Sequence, residues 1–108
     1  MRGFDGIRAI PDAFFTSRAS FDGVDRDNET YIDCRQIVND MPNGPKGICI
    51  GVSIDSTSDQ ATLGTLKVRL RSSNAKTNIN LALGEVHELK LSRIYGDQNN
   101  SRGVKIFF

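Results

Sequence analysis

Alternation of apolar and polar residues is the feature that most constrains how this chain folds. It is clearest over residues 66–71, which read LKVRLR. A period of two places successive side chains on opposite faces of a β-strand, so one face of this strand is apolar and the other basic. Further candidate strands lie at residues 31–38, 47–54, 78–83, 86–91 and 103–108. No segment shows a convincing helical spacing, and the pattern predicts an all-β chain.

Turn signals separate these candidate strands at short intervals. Polar stretches at residues 22–29, 55–60, 72–77 and 96–101, and a stretch with two prolines at 39–45, are predicted as loops. Gly84 is the first residue of a two-residue connection and predicts a type II′ hairpin between residues 78–83 and 86–91. Five to seven strands spaced in this way predict a β-sandwich or small jelly-roll-like barrel over residues 21–108.

The first 20 residues differ from the rest and predict an extended arm that includes a first strand. Glycine and proline alternate there with the apolar residues Phe4, Ile7 and Ile10. The sequence leaves two roles open for the arm: packing on a neighbouring chain, or covering an edge of its own sheet. Either way the chain is one domain, because 108 residues are too few for two.

The chain is rich in apolar residues near its ends. Ile106, Phe107 and Phe108 are consecutive, so both faces of the last strand are apolar, and Phe14 is followed by Phe15. Burying one phenylalanine side chain contributes about 1.5–3 kcal/mol. Either the domain covers these faces itself or neighbouring copies do. The residues predicted to contact other subunits are Phe4, Ile7, Ile10, Phe14, Phe15, Ile106, Phe107 and Phe108.

Charge and hydropathy argue against several classes of partner. The net charge is +1, which disfavours nucleic acid or a membrane surface bound through bulk charge. No apolar run approaches the roughly 20 residues of a membrane span, and the amino terminus does not resemble a signal peptide. Lys67, Arg69 and Arg71 form a basic stripe without interleaved aromatic residues, which predicts a solvated sheet face. The chain is therefore expected in the cytoplasm, at least until it is assembled.

The residues with catalytic potential do not form a recognisable set. His87 is the one histidine and lies in a predicted strand, where a half-exposed position is expected. Ser53 is at the centre of a partial nucleophile-elbow pattern that begins at Gly51, but Asp55 stands where the second glycine belongs. Cys34 and Cys49 lack metal-site spacing and are predicted as buried thiols; a disulfide would require their strands to be neighbours. The prediction is a protein without enzymatic activity.

The acidic stretch at residues 22–29 invites comparison with a calcium loop. Asp25, Asp27 and Glu29 alternate as oxygen ligands do, but Thr30 replaces the required glycine and Gln36 the closing glutamate. This excludes an EF-hand and favours a solvated acidic loop. No metal or cofactor is predicted.

Four segments together resemble a known family of small structural proteins. Residues 46–51, 78–85, 89–95 and 103–108 (KGICIG, NINLALGE, LKLSRIY and GVKIFF) are similar, in that order, to the spike base proteins of tailed phages and gene transfer agents. Residues 9–12 partly match an early segment of that family. The chain departs from the family in a longer loop at 21–31 and an insertion at 39–45.

The resemblance implies a β-sandwich without enzymatic activity that assembles into symmetric units, expected to be trimers. Such a protein attaches to a larger capsid or tail component, is present in the host cytoplasm during assembly, and belongs to the virion afterwards. Two alternatives remain open. A capsid decoration (cement) protein would have the same composition, and a carbohydrate-binding module of a tail or fibre would use Tyr31 and Tyr95, although the chain has no tryptophan.

Overall fold

The computed structural model describes residues 6–17, 21–34, 49–96 and 100–108. Within these residues the chain is almost entirely β-structure, as predicted, with one short helix, α1, at Ala13–Thr16. No helix in the described ranges is long and apolar enough to cross a membrane. The strands are β1 Ile7–Ala9, β2 Gly23–Val24, β3 Thr30–Asp33, β4 Gly51–Ser53, β5 Ser56–Thr57, β6 Leu63–Leu70, β7 Lys76–Ala82, β8 Val86–His87, β9 Leu91–Tyr95, β10 Ser101–Arg102 and β11 Lys105–Phe107.

Two antiparallel sheets enclose a single apolar core. The four-stranded sheet has the order β1-β11-β4-β8, and the five-stranded sheet has the order β2-β3-β9-β6-β7. A two-stranded pair, β10-β5, completes the described strands. The core cluster draws on both sheets: Ile32, Leu66, Val68, Leu81, Leu91 and Ile94 from the five-stranded sheet, and Val52 and Ile106 from the four-stranded one. This arrangement agrees with the predicted β-sandwich.

Strand β6 forms as its alternation predicts. Leu66 and Val68 are fully buried, whereas Lys67 and Arg69 lie on the other face and are partly exposed. The strand pairs with both β7 and β9, so it is central in its sheet. A register shift between Arg69 and Leu70 ends the regular ladder with β9.

The predicted hairpin at Gly84 is wrong. Strand β8 pairs with β4 in the other sheet, with Val52 opposite His87, and not with β7. The chain changes sheets at Gly84, whose φ of 77° is a left-handed conformation that favours glycine. Its N–H donates to the carbonyl oxygen of Ile54 at 2.9 Å. Alternation predicts where strands occur, but long-range packing decides which strands pair.

The loop predictions fail where strands are very short. The regions predicted as loops at 22–29, 55–60 and 96–101 contain β2, β5 and the first residue of β10. A two-residue strand is too short to show alternation, so no sequence signal marks it. Conversely, the described part of the predicted strand at 47–54 is regular only at β4, and the predicted strand at 86–91 is regular only at β8 and the first residue of β9. The predicted loop at 39–45 lies outside the described residues.

The amino-terminal segment folds back onto its own sheet. Strand β1 pairs with β11, with Ile7 opposite Phe107, and covers that edge. The next residues form α1, which buries Phe14, so the segment is not extended throughout as predicted. Asp12, just before α1, anchors this segment to the loop between β10 and β11, because its side chain accepts a 2.9 Å hydrogen bond from the N–H of Gly103. The described part of the arm therefore covers an edge of its own sheet, which is one of the two roles that the sequence left open.

Candidate functional site

Most of the apolar residues predicted to contact other subunits are buried within this chain. The buried members are Ile10, Phe14, Ile106, Phe107 and Phe108, all at most 7% exposed. Phe15 is partly buried and packs against the core, while Phe4 lies outside the described residues. These five are therefore corrected to core positions, because the sandwich itself covers the last strand. Ile7 is 58% exposed and is available for contacts.

Three exposed apolar residues lie on or beside the edge strands β1 and β2, and we call this edge of the sandwich the β1/β2 side. Ile7 lies on β1, Val24 lies on β2, and Phe21 directly precedes β2; Phe21 and Val24 are 47% and 50% exposed. A contact of 3.4 Å between Arg8 Nη1 and Asp22 Oδ2 joins the two strands across this side. The sequence predicted a loop at Phe21 and Val24 and did not select either residue as a contact. Strand β2 has only two residues, which is too short for apolar and polar residues to alternate visibly.

The backbone of β1 also faces outward on the β1/β2 side. Gly6 exchanges hydrogen bonds with Phe108, and the N–H of Ile10 donates to Val104. In an antiparallel ladder alternate residues bond to the same neighbour, so the N–H and C=O groups of Ile7 and Ala9 point away from β11. No described strand pairs with that edge of β1. An edge of this kind is a template for pairing with another chain.

The opposite side of the sandwich, the β7/β8 side, is a groove. Strand β8 ends the four-stranded sheet and β7 ends the five-stranded one. His87 joins them, since its Nε2 lies 3.1 Å from the carbonyl oxygen of Ala82 and hydrogen-bonds to it. The groove has a volume of ≈ 630 Å³. Its lining is Ile79, Asn80, Leu81, Val86, His87, Glu88 and Leu89.

The outer face of the five-stranded sheet is charged and contains aromatic residues. Tyr95 lies opposite Lys67 on β6 and opposite Tyr31 on β3, and Arg69 lies opposite Arg93. The prediction that no aromatic residue accompanies the basic stripe is therefore wrong. The strands that neighbour β6 could not be identified from sequence, so the cross-strand partners of its basic residues could not be predicted.

An ion-pair network ties the acidic loop after β2 to this face. Lys76 Nζ lies 2.6 Å from Asp25 Oδ2, 2.8 Å from Asp27 Oδ2 and 2.6 Å from Glu29 Oε1. Lys67 Nζ also contacts Glu29, at 2.6 Å from Oε2. The loop is closed locally as well, because Asp25 Oδ1 accepts hydrogen bonds from the N–H groups of Asp27 and Glu29.

The network lowers the pKa of two of its carboxyl groups. Desolvation alone would raise the pKa of Asp25, but hydrogen bonds from Lys76 and from two backbone N–H groups outweigh it. Desolvation would also raise the pKa of Glu29, but hydrogen bonds from Lys67 and Lys76 outweigh it, so the pKa is lowered. The pKa of Lys76 is raised, because the three carboxylates outweigh its own desolvation. Asp25, Glu29 and Lys76 are therefore charged near neutral pH.

Lys76 occupies the position among the three acidic residues where a calcium ion would bind. Ligand oxygens of Asp25, Asp27 and Glu29 lie within 4.8 Å of one another, close enough to surround one ion. The Lys76 ammonium contacts all three residues and supplies the positive charge that a metal would bring. The loop is thus acidic, as predicted, but it is paired with lysine and not simply solvated.

A polar cavity of ≈ 690 Å³ beside this network offers little to a sugar ring. It is lined by Asp25, Arg26, Asp27, Arg69, Asn74, Lys76, Arg93 and Tyr95. Tyr95 is only 1% exposed. The Tyr31 ring is covered by the Arg93 guanidinium, 4.0 Å from its centroid, and packs so close to Gly23 that a Cβ there would lie 2.5 Å from its hydroxyl. Neither tyrosine presents the open aromatic face that glycan-binding modules use.

The candidate catalytic residues do not converge. Ser53 lies opposite Val86, and His87 lies opposite the preceding residue, Val52. Because successive residues of a strand face opposite sides of the sheet, the side chains of Ser53 and His87 point away from each other. Cys34 and Cys49 are free and buried, as predicted.

Comparison with known proteins adds nothing to this geometry. No family model, no curated protein and no solved structure matches the chain. The features of the chain that bear on its function are therefore the β1/β2 side, the β7/β8 groove and the resemblance of four segments to spike base proteins.

Proposed function

We propose that this chain is a non-enzymatic structural subunit of a phage-like particle, which self-assembles into a symmetric unit, expected to be a trimer, and attaches to a larger virion protein. The observation that carries the proposal is the β1/β2 side, where exposed apolar side chains flank an outward-facing strand edge. Ile7, Phe21 and Val24 are each about half exposed there. Apolar groups next to unpaired backbone groups favour burial against a second chain.

The two unlike sides of the sandwich supply what a closed ring requires. A cyclic trimer forms when one surface of each subunit meets a different surface of the next. In this chain the β1/β2 side carries the exposed residues Ile7, Phe21 and Val24, and the β7/β8 side is a groove with Leu81, Val86 and Leu89 in its lining. The ring proposed here places the β1/β2 side of one copy in the β7/β8 groove of the next.

Two further observations support a role without catalysis. Ser53 and His87 face opposite sides of their sheet, and the cationic groups Lys67 and Lys76 are engaged by acidic residues. The order of the four segments that resemble spike base proteins supports the attachment to a virion. A capsid decoration protein is the second candidate. Copy number separates the two, because decoration proteins are present in hundreds of copies per particle and spike components in few.

Sedimentation velocity of the purified chain tests the proposal. We expect a species heavier than the 11.9 kDa monomer, and we expect Val24→Lys to shift the distribution toward monomer by placing a charge at the contact. Leu63→Lys is the matched control, because Leu63 is 49% exposed, close to the 50% of Val24, but belongs to the central strand β6. Equal effects of the two variants would contradict the assignment of the interface.

A further inference from the structure

The two cysteines meet across the interior of the sandwich. Cys34 directly follows β3 of the five-stranded sheet, and Cys49 precedes β4 of the four-stranded one. Both are fully buried and free. The interaction between the two thiols shifts the pKa of both, raising that of Cys34 and lowering that of Cys49. The sequence alone does not predict this proximity, because it depends on which strands are neighbours.

Backbone contacts independently place both residues against the beginning of β9. The N–H of Cys34 donates to the carbonyl oxygen of Ser92 at 3.0 Å. Cys49 Sγ lies 3.8 Å from the carbonyl oxygen of Leu89 and 3.2 Å from that of Gly51. Leu89 and Ser92 lie on either side of the first residue of β9, so these contacts place both cysteines beside the start of that strand.

We infer that Cys34 and Cys49 form an intramolecular disulfide when the folded protein meets a low-molecular-weight disulfide such as oxidised glutathione. The thiolate of Cys49 attacks one glutathione sulfur, breaks the glutathione S–S bond and releases one glutathione thiolate. Cys34 then loses its proton and attacks Cys49 Sγ, which releases the second glutathione. The protein loses two hydrogen atoms, and oxidised glutathione is reduced to two thiols.

The surroundings of the two thiols favour this order of attack. The hydrogen bond from Cys34 lowers the pKa of the Cys49 thiol, and backbone N–H groups add to the effect against the opposing desolvation. The same hydrogen bond, together with burial, raises the pKa of Cys34. Cys49 is thus the better nucleophile toward an external disulfide. Cys34 is in place to resolve the mixed disulfide.

The new bond would connect the two sheets covalently. It would also close a loop of about 15 residues, a length for which cross-linking stabilises a fold appreciably by restricting the unfolded chain. Because both sulfur atoms are buried, we expect oxidation of the native protein to be slow and to accelerate under conditions that open the structure locally. The inference does not depend on the proposed assembly, since both cysteines belong to one chain.

The test is to incubate the native protein with oxidised glutathione, quench with acid and measure the intact mass. We expect a monomeric product that is lighter by two hydrogen atoms, with Cys34 linked to Cys49 in a peptide map. Its thermal midpoint should exceed that of the reduced protein by roughly 10 °C, and dithiothreitol should reverse the change.

Cys34→Ala and Cys49→Ala provide the matched controls. We expect Cys34→Ala to stop at a glutathione adduct on Cys49, and Cys49→Ala to react more slowly. A wild-type product that remains a dithiol, stops at the adduct or links two chains would overturn the inference. A disulfide that lowers the thermal midpoint would contradict the claim that the native geometry accommodates the bond.

Discussion

Replacement of Lys76 by methionine probes the ion-pair network most directly. Methionine keeps much of the aliphatic side chain and removes the ammonium group that contacts Asp25, Asp27 and Glu29. Asp25 and Glu29 have side chains only 7% and 18% exposed, so their hydrogen bonds to Lys76 are partly shielded from water. Asp27 is 63% exposed and its contact contributes little.

The magnitude follows from these contacts. A hydrogen bond to a charged group contributes about 1.5–3 kcal/mol, and breaking one leaves the partner charge unpaired. Glu29 keeps its contact with Lys67, so Asp25 dominates the loss. We expect Lys76→Met to lower the free energy of unfolding by about 2–3 kcal/mol near pH 7. Urea denaturation followed by tyrosine fluorescence measures this, because the chain lacks tryptophan and Lys76 lies 5.0 Å from the Tyr95 ring centroid.

The pH dependence of the effect has a definite sign. The pKa values of Asp25 and Glu29 are lowered in the folded state, so their stabilisation is present above the unfolded values of 3.8 and 4.5 and disappears as the pH falls through the folded ones. The difference between wild type and Lys76→Met should therefore shrink toward zero in acid. Lys90→Met is the control at an exposed lysine. A loss at pH 7 no larger than that of the control, or one that persists in acid, would refute the reasoning.

Three other predictions concern the core and the acidic loop. Phe108→Ala should cost about 3–5 kcal/mol, because Phe108 is fully buried; denaturant midpoints would measure it, and a loss below that of an exposed-site variant would count against the packing. Gly64→Ala should cost about 2 kcal/mol in the same assay, because its Cβ would overlap Ile54 Cδ1 in the core. Millimolar calcium should leave the thermal midpoint unchanged, since Lys76 occupies the acidic cluster; a clear rise would argue for a metal site.

The sequence was sufficient for the fold class but not for strand pairing. Strand β6 could be predicted from its own sequence, because its buried face carries apolar side chains and its solvent-facing side carries charged ones. The partner of β8 does not follow from any local pattern, since the chain changes sheets at Gly84 and the choice depends on contacts distant in sequence. For the same reason, the contact between Cys34 and Cys49 could be stated only as a condition.

The candidate site was predicted less well than the fold. Of the residues predicted to contact other subunits, Ile7 is exposed, whereas Phe14 and Phe108 are buried by the sandwich. Composition records how much apolar surface a chain has, whereas the topology decides how much of it remains exposed. Val24 was missed because β2 is too short to produce a pattern.

The mass of the purified chain in dilute solution tests the central claim most directly. The account predicts a discrete assembly, expected at three times 11.9 kDa, that dissociates in the Val24→Lys variant and persists in Leu63→Lys. A folded wild-type protein that sediments as a monomer at every concentration would contradict the claim that the β1/β2 side joins copies of this chain.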